Sequence, residues 1–274
     1  MNRLFVAYKP TGISSNNFLY SLKRKYNEKK VGFSGTLDPF AKGVLLIGMG
    51  SYTKLFRFLD KTPKSYRATL WLGAKSDSLD TEMIESVEFL EPVSEEKILE
   101  VLKSLEGELE YEPPIFSAKR IDGKRAYDLA RSGIPFELNK INSTIYQTKL
   151  LHYCHPYITF EATVSEGTYI RSLGLMIAQR LGIKFGSLSS LERLHEGQFF
   201  YEGEKALDIK KSLNIKQNFY HGEGENLKYG RVLALEDLKI KVDGYYWLDS
   251  GDTISIIKIE KTKVKYELNK VAAC

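Results

Sequence analysis

Between Val31 and Gly50 the chain reads VGFSGTLDPFAKGVLLIGMG, and its single acidic residue is Asp38. A lone acidic side chain among glycines and apolar residues needs a partner or a purpose, because an unpaired charge is costly to bury. The glycines allow close turns, and Pro39 fixes the main chain just after the acid. Two readings stay open on these residues alone. One is a stiff loop that presents a carboxylate for chemistry; the other is an Asp capping a turn before a buried strand.

Other chemistry-bearing stretches are fewer. The segment YEPPIFSAKRIDGKRAYDLARSG carries Lys119, Arg120, Lys124, Arg125 and Arg131 against Asp122 and Asp128, with Phe116 and Tyr127 interleaved. Basic residues meet phosphates and aromatics stack on bases, so this composition suits an RNA-contacting loop as well as a solvated basic one. HYCH at 152–155 places its histidines and cysteine on opposite faces of a strand, which makes convergence on one metal ion awkward. KSDSLDTE at 75–82 offers Asp77, Asp80 and Glu82 but lacks the glycine and final glutamate of a calcium loop, and reads as a polar rim. With no phosphate loop either, neither a metal nor an organic cofactor is expected.

The elements that must position these groups follow from periodicity. RLFVAYKP reads as a strand, and SSNNFLYSLKRKYN as a helix capped by Ser14 or Ser15 with Phe18, Leu19, Leu22 and Tyr26 on one face. GVLLIGMG reads as a buried strand and YTKLFRFLD as a short helix. In SYRATLWLG, Tyr66, Ala68, Leu70 and Leu72 share one side, which leaves Tyr66 either a core tyrosine or a group facing a site. SEEKILEVLKSLEG is a helix capped by Ser94, with Ile98, Val101, Leu102 and Leu105 inward and Gly107 at its end. Two strands, STIYQTKLLHY and YITFEATVS, precede a helix that starts after Gly167. Strands and helices without a strict βαβ repeat indicate an α+β fold with a mixed or antiparallel sheet. From about residue 219 the texture turns polar and glycine-bearing, then to short strands, as expected of a small β-rich C-terminal domain.

The totals set the frame. A chain of 274 residues, 43% hydrophobic and 27% charged, can bury a full core as one large domain with a small appendage. Cys154 and Cys274 offer no disulfide framework, which fits a reducing cytosol. The apolar start is too short for a signal segment, and no run approaches a membrane span, so a soluble cytoplasmic monomer is expected. Residues 1–54 hold nine Lys/Arg against two acids, whereas residues 55–112 hold seven against fourteen. Such a polarised field suits a polyanionic partner. Residues 222–274 carry nine of each sign, so that end adds little non-specific phosphate attraction.

GFSGTLDPFAKGVLLIGMGSYTK resembles the signature loop of the TruB-type tRNA pseudouridine-55 synthases, whose pattern G-x-x-G-x-L-D-P-x-A-x-G-x-L carries a nucleophilic aspartate. Further matches fall in the family's order: KPTGISSN at 9–16, KSYRATLWLG at 64–73, PPIFSAKRIDGKRAYDLAR at 113–131, GTYIRSL at 167–173 and LERL at 191–194. Their order and spacing, over roughly residues 4–200, make the resemblance specific.

The resemblance implies a pseudouridine-synthase fold over residues 1–218, with an RNA-gripping insertion at 113–135, and a short PUA-like domain over 219–274. It implies isomerisation of uridine to pseudouridine in the tRNA T-loop, at position 55, with the T-arm as partner and no metal or cofactor. Asp38 matches the nucleophile, attacking C1′ of the ribose or C6 of the base; Tyr66 matches the active-site tyrosine, and Arg171 the arginine that pairs with the aspartate. Tyr169 and Leu191 match base-pocket positions, and Lys9 with Pro10 a motif that buttresses the catalytic loop. Lys9 is also grouped with the RNA-binding set, beside Lys119, Arg120, Lys124 and Arg125. Phe33 stands where the family usually has histidine, and is expected to keep its wedge role between flipped bases. Two rivals share part of this picture. A tRNA-folding chaperone would use the same contacts with binding as its main role, and a glycosidase-like hydrolase would need a second carboxylate across the bond, for which Asp80 is a distant choice.

Overall fold

The computed structural model describes every residue except Ala118, Asp122 and Cys274, so the Asp122 of the basic segment and the terminal cysteine lie outside the described residues. The chain begins with strand β1 (Arg3–Lys9), helix α1 (Ser15–Tyr26), and strands β2 (Val31–Ser34) and β3 (Lys42–Met49). Ser14 caps α1 by accepting from the Asn17 amide at 3.1 Å. Where a short helix is expected, the chain makes two 3₁₀ turns, Gly50–Lys54 and Phe56–Phe58. The inward residues Tyr52, Leu55 and Phe58 recur every third position, the period of a 3₁₀ turn and not of an α-helix.

Next come β4 (Lys64–Leu72), the small hairpin β5 (Ala74–Ser76) and β6 (Ile84–Val87), helix α2 (Glu95–Ser104) and β7 (Gly107–Tyr111). The basic segment forms a two-residue ladder, β8 (Arg120–Ile121) with β9 (Lys124–Arg125), followed by α3 (Ala126–Arg131). Long strands β10 (Ile141–Cys154) and β11 (Tyr157–Val164) lead to α4 (Ile170–Arg180), β12 (Gly186–Glu196) and β13 (Phe199–Phe200).

Nine of these strands make one mixed sheet in the order β1-β3-β12-β4-β11-β10-β7, with β2 added to β3 and β13 to β12. Every neighbouring pair is antiparallel except β3 with β12. The α+β expectation therefore holds. Because β1 covers one edge of β3 along its length, the other edge is divided: β12 takes Lys42 and Gly43, and β2 takes Leu46 to Met49. The sheet forks at this point, and the loop that carries Asp38 spans the fork. Gly43 makes the parallel junction possible. Its φ is +118°, and a Cβ there would lie 2.3 Å from the Arg193 carbonyl oxygen.

One face of the sheet is covered by α2 and α4, whose Ile98, Val101, Leu102, Leu173 and Ile177 pack on Leu70, Ile158, Phe160 and Leu188. At the β1 end both faces are buried, which explains the unbroken apolar runs LFVA and VLLI. Phe5, Ala7, Leu45 and Ile47 meet Phe18 and Leu22 of α1, while Leu4, Val6, Val44 and Leu46 join a cluster that includes Trp247, Ile254, Ile256 and Val271.

Those last residues belong to a second, four-stranded sheet: β14 (Lys216–Gln217), β15 (Gly244–Asp249), β16 (Thr253–Glu260) and β17 (Lys263–Ala272). It starts ahead of the 218/219 boundary, since Lys216 and Gln217 pair with Tyr246 and Trp247. It also shares core with the large sheet, and Tyr52 donates to the Ala272 carbonyl at 2.7 Å. Among the described residues, no helix is long and apolar enough to cross a membrane.

Candidate active site

The Asp38 loop is braced from three directions. Ser15 Oγ donates to the Leu37 carbonyl at 2.8 Å and accepts from the Leu37 amide at 2.9 Å. The Gly12 amide donates to the Pro39 carbonyl at 2.8 Å. Beneath the loop Lys9, fully buried, donates to the carbonyls of Pro10 at 2.9 Å, Ile13 at 2.7 Å and Pro39 at 3.4 Å. Burial lowers the Lys9 ammonium to about 8, against the pull of Asp38. The carboxylate at the centre of this brace is left one-third exposed, 33%.

Arg171 meets it with a fork. Its Nε lies 2.9 Å from Asp38 Oδ2, and its Nη2 donates to Oδ1 at 3.1 Å. Its remaining donors are also committed, Nη1 to the Ser78 carbonyl at 2.7 Å and Nη2 to the Phe116 carbonyl at 2.8 Å. Behind it stands Asp80, 3.7 Å from Nη1. Asp80 is not a rim residue: it is buried, accepting from Ser78 Oγ and, at 2.9 Å, from the Glu82 amide. Burial pushes its carboxyl above the ordinary range despite Ser78 and Arg171. A guanidinium clamped on all sides fixes the direction in which Asp38 points.

Asp38 opens on a cavity of about 380 Å³ that Tyr66, Tyr169, Arg171, Leu191 and Lys119 also line. That size is within the usual range for small-ligand sites, about 300–1,000 Å³. Tyr66 and Leu191 come from adjacent antiparallel strands, where Tyr66 faces Arg193 and Leu191 faces Ala68. Tyr169 caps α4, its amide donating to Tyr111 Oη at 3.0 Å. Lys119 reaches the Asn139 carbonyl at 3.0 Å.

Other expected site residues stand elsewhere. Lys9 cannot touch RNA as an RNA-binding residue would, because it is wholly covered; it braces the loop. Phe33 packs at the margin of the α1 cluster with Ile13, Leu19 and Tyr26. Arg120, Lys124 and Arg125 sit on the β8–β9 ladder, with Arg125 5.9 Å over the Tyr127 ring. Of the described residues that line the cavity, none is Phe33, Asp80 or a member of this ladder.

A second charged group completes the wall. Lys64 and Arg193 line the cavity and both face Glu196, which is fully buried: Lys64 Nζ lies 3.3 Å from Oε1 and Arg193 Nη2 3.5 Å from Oε2. Ser34 Oγ donates to Glu196 at 2.6 Å. Gly35 leaves room for the two cations, since a Cβ there would meet Lys64 Nζ at 3.2 Å and Arg193 Nη1 at 3.3 Å. Strand alternation could have found Lys64, which shares its face with Tyr66.

Residues 23–170 match the family model described as TruB family pseudouridylate synthase (N terminal domain). A Sulfurimonas denitrificans protein named tRNA pseudouridine synthase B is 73% identical over 99% of each chain. A Campylobacter jejuni protein of the same name is 48% identical over the full length of both. Among solved structures, the crystal structure of a Cbf5-Nop10-Gar1 complex contains a chain that superposes with a TM-score of 0.67 at 20% identity, covering 98% of this chain and 83% of that one; at this identity the likeness is one of fold.

Proposed function

The chain belongs to the TruB family of pseudouridylate synthases, and from that premise we propose that it isomerises a uridine in the tRNA T-loop, at position 55, with Asp38 as the nucleophile. The observation that carries the reading is the two-point contact between Arg171 and Asp38 at the wall of a nucleoside-sized cavity. The guanidinium fork holds the carboxylate in one orientation at the cavity, where it can act as a nucleophile.

Substrate and product have the same atomic composition. Asp38 attacks C1′ of the ribose or C6 of the base, the C1′–N1 bond breaks, and the uracil turns over. A C1′–C5 bond then forms, the C5 proton leaves, N1 gains a proton, and the carboxylate is released. We assign Tyr66 to the face of the flipped base, and Tyr169 and Leu191 to the remaining walls. Lys119 and the basic ladder with Arg120, Lys124 and Arg125 are assigned to the RNA backbone. Flipping costs a few kcal/mol, which phosphate contacts offset. In this reading residues 1–218 are the catalytic unit, 113–135 its RNA-gripping insertion, and 219–274 a reduced PUA-like module whose sheet takes its edge strand, Lys216–Gln217, from the end of the catalytic unit.

The arrangement favours an enzyme over a chaperone, since binding alone gives no reason to clamp a partly exposed acid with a buried arginine. A glycosidase-like hydrolase is disfavoured because Asp80, the second carboxylate, is behind Arg171. Incubation with an unmodified tRNA transcript, followed by base-resolution mapping, should give pseudouridine in the T-loop with the native protein and none with Asp38→Asn. Absence of product from the native protein would overturn the assignment.

A further inference from the structure

At the mouth of the cavity Glu166 reaches across to two lysines. Its Oε1 accepts from Lys61 Nζ at 3.2 Å and from Lys64 Nζ at 3.4 Å. The partners differ in what each requires. Lys64 has a side chain 5% exposed, and a buried ammonium must keep an anion in reach. It already has one in Glu196, which is fully buried at 3.3 Å. Glu166 is 56% exposed, and among the described residues its polar partners are these two lysines. It is therefore free to rotate into solvent without leaving Lys64 uncompensated.

The charge balance points the same way. Lys61, Lys64 and Arg193 face Glu166 and Glu196, an excess of one positive charge that becomes two when Glu166 withdraws. One carboxylate oxygen shared by two ammonium groups is also the geometry in which a phosphodiester oxygen would bind. Burial pushes the Glu166 carboxyl up, but Lys64 and Lys61 outweigh it and hold the group below its ordinary range. It is thus an anion at neutral pH.

We propose that Lys61 and Lys64 form a phosphate subsite for the RNA backbone beside the flipped nucleotide, and that Glu166 fills this subsite in the free protein and swings out when RNA arrives. The inference rests on the RNA-substrate reading above and adds to it a site and a competitor for that site. Glu166 is not a catalytic residue in this scheme. It sets the affinity of the first encounter by forcing a backbone phosphate to displace a built-in anion.

The test is a double-mutant cycle on binding, with unmodified tRNA transcript as the probe and Asp38→Asn in every protein to stop turnover. Glu166→Gln should tighten binding about two- to fivefold, the scale of an exposed ion pair. Lys61→Ala should weaken it and make the dependence of log K on log salt shallower by about one; Lys61→Gln, which keeps the stem, guards against a folding defect. Adding Glu166→Gln to either Lys61 variant should then gain less than half as much on the logarithmic scale. Equal gains in both backgrounds would mean that Glu166 repels RNA only as a distant charge, and would overturn the proposal, as would no gain at all. Native protein that neither binds tRNA nor forms pseudouridine would instead remove the premise, so the two failures are told apart.

Discussion

Arg171→Lys removes geometry and keeps charge, which makes it the sharpest test of the site. The native side chain touches both oxygens of Asp38, at 2.9 and 3.1 Å, and also holds two main-chain carbonyls at 2.7 and 2.8 Å. A lysine ammonium is a point donor and cannot span the two carboxylate oxygens while it serves both carbonyls. At least one charge-assisted bond is lost, worth about 1.5–3 kcal/mol, or roughly one to two powers of ten in rate. Slack aim adds to this, since a misplacement of about 1 Å can cost a further hundredfold. We expect single-turnover conversion to fall about a thousandfold, with KM within about threefold because the positive charge is kept and the other cavity walls are untouched. The assay follows from the chemistry: a tritium at uridine C5 is released when C5 bonds to C1′. Arg171→Met is the companion. It removes the charge as well as the geometry, so its single-turnover rate should fall below that of Arg171→Lys. A lysine variant at native speed would refute the aiming argument. A methionine variant as fast as the lysine variant would refute the electrostatic one.

Gly43→Ala would place a methyl 2.3 Å from a carbonyl of β12 at φ +118°, and neither backbone can yield. A loss of about 3 kcal/mol or more is expected, read as a fall in Tm, and an unchanged Tm would show that the fork tolerates separation. For Lys9 the folded value is about 8 against an ordinary 10.5. Between those limits the unfolded chain binds more protons, so the contribution of this group to stability rises with pH. The gap in urea midpoint between native protein and Lys9→Met should therefore widen from pH 8 to 10, and narrowing would contradict it. Removal of residues 219–274 strips Trp247, Ile254, Ile256 and Val271 from the cluster that covers Leu4, Val6, Val44 and Leu46. At about 1.5–3 kcal/mol per large side chain, the loss is about 6–12 kcal/mol, comparable to the whole stability of a native domain. Residues 1–218 alone should fail to give a cooperative melt, and a truncated protein with native Tm would show the second sheet to be independent.

Asp38, Tyr66, Arg171, Tyr169 and Leu191 were legible because their motifs keep fixed spacing and because strand alternation placed Tyr66 on the inward face. Glu196 was not, and the reason is a bulge. Along β12 the register jumps between Arg193, opposite Tyr66, and His195, opposite Ser65, so Glu196 lands opposite Lys64. Strict alternation from Arg193 would have sent it to the other face. Asp80 was misread for a different reason. Its octapeptide looks like a solvated turn, and nothing local reveals that Leu79, at φ +58°, redirects the chain so that Asp80 pairs beside Leu188 and lies behind Arg171. β2 escaped notice because four residues containing a glycine carry too little periodicity; it exists because β3 offers the free end of an edge. Phe33 lies off the cavity, its ring partly buried beside α1, a placement that its motif position does not reveal.

The cations around the cavity fall into two kinds, and the difference explains why one site can both keep an acid in aim and admit a polyanion. Arg171 is 5% exposed, and its donors are satisfied by Asp38 and by fixed carbonyls. An incoming phosphate could not recruit it without stranding Asp38 and two buried acceptors, a loss of several kcal/mol. Lys61 is partly open, at 15%, and the anion it shares with Lys64 is mostly solvated, so exchanging that carboxylate for a phosphate changes little else. RNA can thus approach through the lysines without unsettling the nucleophile. If burial were reversed, with an exposed arginine and a sealed lysine pair, added salt or free phosphate would compete for the guanidinium and disarm Asp38. The testable consequence is that rising salt should raise KM steeply while single-turnover kcat at saturating tRNA stays nearly flat. A kcat that fell in step with affinity would mean that the cations holding Asp38 are the same ones that meet the backbone.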